Sequence, residues 1–261
     1  SARMKLAQRG AKPGSLAVLA DQPDAALPVL LDHAARVGAT VAQEGIHFGV
    51  AGHELAIGGQ LLTLNGLGGI YDEVFLPLHG AHQARNAACA LAAVEALLGG
   101  HQPVRLEPDL VRAAFAGVDS PGRLEVVRRS PTVLVDAAHN PAGAAVLAEA
   151  MTSSFGFTRL VGLLGVMADK DAAGMIEALH PVLDEVVVSR SSSPRAMAPD
   201  DLADIAREYF DDDRVHVVDR LDAALDLAVE RAEASHTPGA GVLVTGSIPL
   251  AGEIRTLLGR S

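Results

Sequence analysis

The rhythm of hydrophobic and polar positions changes about a hundred residues into the chain. Before that point, Ser15–Ala20 is a brief apolar run and Ala25–Val37 carries apolar residues at helical spacing. Thr40–Gln43, Ile46–Val50, Glu54–Ile57 and Gln60–Asn65 follow as short runs parted by single or paired glycines, and Tyr71–Leu78 alternates toward a further strand. Such runs predict a meander of antiparallel strands. Ala81–Leu98, rich in Ala and Leu, predicts a long helix closed by Gly99-Gly100. The glycine, proline and polar content of Gly99–Pro108 reads as a linker and divides the chain into domains 1–103 and 104–261.

From Glu107 onward the alternation becomes regular. Leu124–Arg128, Val133–Asp136, Leu160–Leu164, Glu185–Ser189, Val215–Val218 and Val242–Thr245 read as strands. Helical windows lie between most of them, at Ala142–Ser153, Ala172–Leu179, Pro199–Tyr209, Leu221–Ala234 and Leu250–Leu258. Repeated strand and helix alternation predicts an α/β fold: a doubly wound, mostly parallel sheet covered on both faces. Ligands of such sheets bind beyond the carboxyl ends of the strands, which makes the residues after each strand the candidates for chemistry.

Composition supports this architecture. Apolar residues make up 49% of 261 residues but aromatics only 3%, so the interior is built from Ala, Val and Leu. A net charge of −11 argues against nucleic acid or a membrane surface as a partner held by charge. Cys89 is the single cysteine, which excludes an intramolecular disulfide or multi-cysteine zinc site and favours a reducing, cytoplasmic setting. The apolar run around Cys89 marks it as a structural thiol. Ser1–Gly10 lacks the apolar core of a signal peptide, and no window reaches 18 uninterrupted apolar residues, so a soluble, non-exported protein is expected. Only Lys5, Lys12 and Lys170 can serve lysine-dependent chemistry.

At the strand ends, Val133–Val135 runs into Asp136-Ala-Ala-His139-Asn140-Pro141, an acid, an imidazole and an amide just before a helix with proline in its first turn. Asp at this place can accept from ribose hydroxyls, and the helix N-terminus offers N–H groups to an anion. The plainer reading is that Asn140 caps the helix and Asp136 fixes the turn. Leu160–Leu164 leads to Asp169-Lys170-Asp171, readable as first-turn acids with a salt-bridge partner. Glu185–Ser189 leads to Ser191-Ser-Ser193-Pro-Arg195, a polar loop whose guanidinium can clasp a carboxylate. The last strand ends in Thr245-Gly246-Ser247. Upstream, His79-Gly-Ala-His82-Gln83 opens the long helix with His82 and Asn86 on one face, and Ser120-Pro-Gly-Arg123 precedes the first strand of the second domain. No His-Glu-x-x-His or cysteine set accompanies the histidines, so no metal site is expected.

Taken together these segments resemble the folylpolyglutamate synthase family, including its bifunctional dihydrofolate synthase form, within the Mur ligase superfamily. The resemblance rests on His-Gly-x-His-Gln-x-x-Asn-Ala at 79–87, Ser-Pro-Gly-Arg at 120–123, Asp-Ala-Ala-His-Asn-Pro-Ala-Gly at 136–143, Asp-Lys-Asp at 169–171, Ser-Pro-Arg-Ala at 193–196 and Thr-Gly-Ser at 245–247. It implies an enzyme that uses ATP and Mg2+ to turn a folate carboxylate into an acyl phosphate, to which it joins the amino group of glutamate. It also implies that Asn86, Arg123 and Asp136 contact ATP, near the base, the phosphates and the ribose respectively, and that the catalytic His139 faces the reaction centre. Ser193 and Arg195 are candidates for the incoming glutamate. The family's phosphate loop, its Mg2+ ligands and its Glu-Lys-Ala-Gly lysine have no counterpart here, since no lysine of this chain stands in a Gly-Lys-Ser/Thr sequence. The resemblance therefore implies that 1–103 is the later part of a central ATP-binding domain and 104–261 a Rossmann-like C-terminal domain. A piece without phosphate loop and metal ligands is expected to be inactive alone. The competing expectations are a Mur-type ligase for a peptidoglycan precursor and a non-catalytic nucleotide- or amino-acid-binding module. An NAD-dependent dehydrogenase is disfavoured by the lack of Gly-x-Gly-x-x-Gly after any strand.

Overall fold

The chain divides between Asp119 and Ser120 in the computed structural model, which describes residues 12–99, 102, 104–234 and 238–260. The expectations for Ser1–Gly10, Lys5 and Gly100 lie outside those residues. In the first unit, β1 (Leu16–Leu19) and β2 (Thr40–Gln43) pair in parallel, Leu16 opposite Thr40 through Leu19 opposite Gln43. The connection between them is α1 (Leu27–Val37), which ends on Gly38 at φ +72, the left-handed cap that stops a helix. Thr40–Gln43 is thus not part of the antiparallel meander expected from its glycine-bounded pattern. Parallel pairing needs a crossover, and α1 supplies it.

The meander itself has three strands, β3 (Gly49–Ala56), β4 (Gly59–Asn65) and β5 (Ile70–Leu76), in that order. The two runs expected at Ile46–Val50 and Glu54–Ile57 are largely one strand, because a register shift between Val50 and Gly52 carries β3 through its glycine. Over this unit lies α2 (Ala81–Gly99), whose Ala84, Ala87, Ala88, Leu91 and Ala92 are buried with Leu62, Leu64 and Val74. Alanine at four of those five positions lets the helix axis approach closely. A helix that the sequence reading left unassigned, α3 (Pro108–Ala116), follows with proline in its first turn. Val111 of α3 is buried in the same core, Arg112 Nε donates to the Asp72 carbonyl at 2.9 Å, and the Leu106 N–H donates to the Tyr71 hydroxyl at 2.7 Å. These contacts bind 104–118 to the first unit, so the division falls at 119/120 rather than 103/104.

The second unit is the doubly wound sheet. Its elements are β6 (Glu125–Arg129), β7 (Thr132–Val135), α4 (Pro141–Ser154), β8 (Arg159–Leu164), α5 (Ala172–Leu179), β9 (Glu185–Val188), α6 (Pro199–Ala206), β10 (Val215–Val217), α7 (Leu221–Glu233), β11 (Ala240–Thr245) and α8 (Ile248–Leu257). The strand order is β10-β9-β8-β11-β7-β6, parallel throughout except for β6, which runs antiparallel to β7. Alternate residues face opposite cores. Leu134, Leu160, Leu164, Val186, Val188 and Leu243 meet α4, α5 and α6, whereas Val133, Val135, Val161, Leu163, Val242 and Val244 meet α7 and α8. The strands β7 and β8 therefore lead to helices on one face, and β11 between them leads to a helix on the other. That divergence opens a crevice at their carboxyl ends.

Candidate functional site

The crevice is lined first by the exit of β7. Asp136 is 7% exposed, and both its oxygens are engaged by backbone: Oδ1 accepts from the Ala138 N–H at 2.8 Å, and Oδ2 from the Leu124 N–H at 3.0 Å. His139 is half-buried, with Nδ1 3.0 Å from the Ala137 carbonyl. A carbonyl only accepts, so the proton of this bond sits on Nδ1, and Nε2 is the ring nitrogen left to meet other groups. Asn140 caps α4 by accepting from the Gly143 N–H at 2.9 Å, as the plainer reading of that residue expected.

The Ser120–Arg123 turn is brought to the same place by the hairpin of β6 and β7. The register opposes Glu125 to Val135, which sets Leu124 against Asp136. Gly122 (φ +69) and Leu124 (φ +48) both adopt left-handed backbone, cheap for glycine and strained for a leucine. The turn is braced on two sides. The Gly122 carbonyl accepts from the Ala137 N–H at 2.8 Å, and its N–H donates at 2.7 Å to Glu125 Oε2, which also accepts from Arg255 Nε of α8 at 2.7 Å. Arg123 itself is exposed and makes no ion pair or side-chain hydrogen bond among the described residues.

Between these lies the exit of β11. Gly246 has φ +118, and a Cβ there would stand 2.8 Å from the Gly165 carbonyl oxygen at the end of β8. Only glycine allows the two strand ends to touch. Ser247 caps α8 by accepting from Leu250 N–H at 3.3 Å, while the buried Thr245 Oγ1 has no hydrogen-bond partner among the described residues.

The loops after β8 and β9 form a separate group. The Ala168 N–H donates to the Arg195 carbonyl at 2.9 Å, and the Met197 N–H to the Val166 carbonyl at 2.9 Å, so the two loops are stitched together. Arg195 Nη2 donates to Asp169 Oδ1 at 2.7 Å, and Lys170 Nζ lies 3.4 Å from Asp169 Oδ2. Arg195, and behind it Lys170, hold the Asp169 carboxyl below the usual carboxylate range. Lys170 is thus the ion-pair partner of an acid, and Asp171 caps α5 through Gly174 N–H at 2.9 Å, as their plainer reading expected. Ser193 Oγ accepts from the Arg195 N–H at 3.3 Å, so these two glutamate candidates do meet. Two strands, β8 and β11, separate their loop from Asp136 and His139, roughly 14 Å at the usual strand spacing.

Asn86 belongs to the first unit, where it is exposed on α2 and donates to Gln83 Oε1 at 3.2 Å. The start of that helix is set by a residue the motifs did not single out. Buried Gln60 of β4 donates from Nε2 to the carbonyls of Leu78 (2.7 Å) and Gly80 (3.1 Å), fixing the loop that carries His79, whose imidazole burial pushes below its ordinary value. Cys89 is half-buried, and burial, with Glu44 behind it, pushes its thiol up, away from nucleophilic use. Glu125, Leu124 and Gln60 escaped sequence reasoning, although pairing the hairpin around Ser130-Pro131 would have placed Leu124 opposite Asp136. The Mg2+ expected with ATP has no group of three His, Cys, Asp or Glu side chains to hold it among the described residues.

Comparison with known proteins adds names to this geometry. Residues 122–248 match the family model described as "Mur ligase, glutamate ligase domain". The dihydrofolate synthase/folylpolyglutamate synthase of Mycobacterium tuberculosis is 46% identical over 257 residues, 95% of this chain and 53% of its own length. A probable bifunctional folylpolyglutamate synthase/dihydropteroate synthase of Halobacterium salinarum is 34% identical over 69% of this chain and 21% of its own. Crystal structures of Mycobacterium tuberculosis folylpolyglutamate synthase complexed with ADP and AMPPCP share the fold with a TM-score of 0.92 at 44% identity, covering 100% of this chain and 60% of theirs. The chain thus spans about half the length of the curated Mycobacterium relative.

Proposed function

We propose, from the chain's membership of the Mur ligase family through its glutamate ligase domain at residues 122–248, that it takes part in ATP-dependent addition of L-glutamate to a folate. The observation that carries this reading is the crevice of the second unit, where Arg123, without an ion pair among the described residues, the His139 imidazole and the N-terminus of α4 stand at the ends of β7 and β11. ATP supplies the phosphoryl group that turns the folate carboxylate into an acyl phosphate. Arg123 binds the phosphates, as a free guanidinium does well. Asp136 is a nucleotide contact at the ribose, and Asn86 is a candidate contact of the base. Nε2 of His139 accepts the proton that the glutamate ammonium must lose before its nitrogen attacks the acyl carbon and phosphate leaves. Ser193 and Arg195 hold a carboxylate of the incoming glutamate, with Arg195 exchanging Asp169 for it.

The 261-residue chain alone carries no Gly-Lys-Ser/Thr loop, so by itself it performs no phosphoryl transfer. The cytoplasm is the setting proposed, with Cys89 reduced. The test is a chimera in which this chain replaces the matching half of the Mycobacterium relative, assayed for ADP release with Mg-ATP, dihydropteroate or tetrahydrofolate, and glutamate. Release that requires both glutamate and a folate is expected. Release with a peptidoglycan precursor instead, or folate-dependent release by the unfused chain, would overturn the assignment.

A further inference from the structure

Resting on the nucleotide reading above, the geometry points to Glu125, anchored by Arg255 of α8, as the positioning residue of Arg123. A guanidinium that meets phosphates binds them better when it is held in place before they arrive, because less ordering remains to be done on binding. Arg123 is exposed and has no ion pair or side-chain hydrogen bond among the described residues, so its backbone is what places it. That backbone is an unfavourable one. Gly122 at φ +69 and Leu124 at φ +48 flank Arg123 in left-handed conformation, which a leucine keeps only when its surroundings enforce it. Leu124 is secured on one side by burial in the core against α4. On the other side, toward α8, the hold is a single carboxylate. The register sets Glu125 opposite Val135, whose side chain lies in the core against α7 and α8, and residues directly opposed in an antiparallel pair share a face. From there Glu125 Oε2 reaches back to accept the Gly122 N–H at 2.7 Å and accepts from Arg255 Nε at 2.7 Å as well. The helix itself comes close: a Cβ at Gly122 would stand 3.9 Å from the Cβ of Ala251, one turn before Arg255. The Glu125 and Arg255 side chains are only 21% and 18% exposed, so salt screens this brace little. Arg255 also offsets a negative charge that would otherwise repel phosphates close to Arg123. Because Ser247 caps the same helix at the exit of β11, the brace fixes the Arg123 turn relative to the floor of the crevice.

The test is a binding cycle on the full chain with ADP and adenosine as probes, using wild type, Glu125→Ala, Arg123→Ala and the double variant, with Mg2+ and with EDTA. Glu125→Ala is expected to weaken ADP about tenfold, the scale of a lost charged hydrogen bond, while adenosine, which offers Arg123 no phosphate, changes less than about twofold. Once Arg123 is alanine, Glu125→Ala is expected to cost ADP less than about threefold more. Both factors are expected to be the same with Mg2+ and with EDTA. Should Glu125→Ala fail to fold, Glu125→Gln, which keeps an acceptor for the Gly122 N–H but no charge for Arg255, is read in the same way with a smaller loss. Equal losses for ADP and adenosine would show a merely structural role, and losses that simply add in the double variant would show that Glu125 does not act through Arg123. A loss that EDTA abolishes would make Glu125 a metal ligand. Each of these overturns the proposal. A wild-type chain that binds neither probe sinks the nucleotide reading on which this rests. In that case a crystal structure of the variant decides the local claim: Gly122 or Leu124 leaving positive φ upholds it, and an unmoved Gly122–Leu124 turn overturns it.

Discussion

Replacing Tyr71 by phenylalanine removes one hydroxyl from a place that water does not reach. Tyr71 is 1% exposed; its hydroxyl donates to Glu95 Oε1 at 2.7 Å and accepts from the Leu106 N–H at 2.7 Å. Glu95, fully buried in α2, then keeps, among the described residues, a single donor, the Leu67 N–H at 2.6 Å on Oε2. A hydrogen bond to a charged group contributes about 1.5–3 kcal/mol and a neutral one about 1 kcal/mol, so Tyr71→Phe should cost the first unit about 2–4 kcal/mol at pH 7. The alkaline limb gives an independent check. Burial, followed by the hydrogen bond to Glu95, pushes the Tyr71 hydroxyl from 10.0 up to about 12. The unfolded chain loses that proton near pH 10 and the folded chain only near 12. Across that window the unfolded state binds fewer protons, so stability falls as pH rises, by about 2–3 kcal/mol in all. Tyr71→Phe should flatten that fall. Tyrosinate absorbance reads it directly, because Tyr71 and Tyr209 are the only tyrosines and there is no tryptophan. The wild type should show two steps above the ordinary value, Tyr209 being raised by desolvation and then by Glu177, and the variant one. Urea unfolding at pH 7 supplies the stability difference. A loss below about 0.5 kcal/mol, or a wild-type step at an unshifted pH 10, refutes the reasoning.

At the opposite end of the second sheet from the crevice, Glu185 is 4% exposed and accepts from Arg159 and from Arg231 Nε at 2.6 Å. Glu185→Gln should destabilise the second unit by about 3 kcal/mol in urea, since it strands two partly buried guanidiniums; a loss under about 1 kcal/mol would show the cluster to be dispensable. His216 lies 3.1 Å from the same carboxylate, but burial, and then Arg231, hold its imidazole below the ordinary value, and burial does the same for His79. In the folded chain both charge only below their unfolded value of about 6.5, so stability should be full above that pH and decline as pH falls below it; a flat unfolding profile from pH 7.5 to 5.5 contradicts this. Gly246→Ala should cost more than about 2 kcal/mol, because φ +118 strains alanine and its Cβ would stand 2.8 Å from the Gly165 oxygen. An unchanged melting temperature would show that the strand ends part freely.

The parts of this molecule that were legible in the sequence are those governed by short-range rules. Runs such as Leu160–Leu164 and Val242–Thr245 carry their burial on both faces in their composition, and Asn140-Pro141 announces a capped helix locally. Pairing is not local. Thr40–Gln43 reads the same whether its partner is the next hairpin or β1, and only the position of α1 decides for the parallel partner. The nine residues of α3 begin where the linker reading ended and carried no assignment, although Glu107-Pro108-Asp109 is a helix start. For the site, the motifs placed the correct residue types at the strand ends but not their partners. That Asp136 also holds the Leu124 N–H is not legible until the β6–β7 register is known, and Arg195 as a carboxylate clasp says nothing of the Asp169 that occupies it.

The two ends of the second sheet are treated by the fold in opposite ways, and that contrast bears on which residues serve the reaction. At the amino end of β8 and β9, Arg159, Glu185, His216 and Arg231 satisfy one another within a single cluster. At the carboxyl end the structure carries costs that packing alone does not demand: a leucine held at positive φ, two glycine backbones in contact and, among the described residues, a buried threonine hydroxyl without a partner and an exposed arginine without an acid. Strain and unused hydrogen-bonding capacity persist where a ligand repays them, whereas a saturated ion cluster serves stability. Substitutions at the two ends should therefore separate cleanly. Glu185→Gln should lower the melting temperature while leaving ADP affinity intact below that temperature, and Arg123→Ala should do the reverse. If Arg123→Ala leaves ADP affinity intact, the carboxyl-end strain serves something other than the nucleotide.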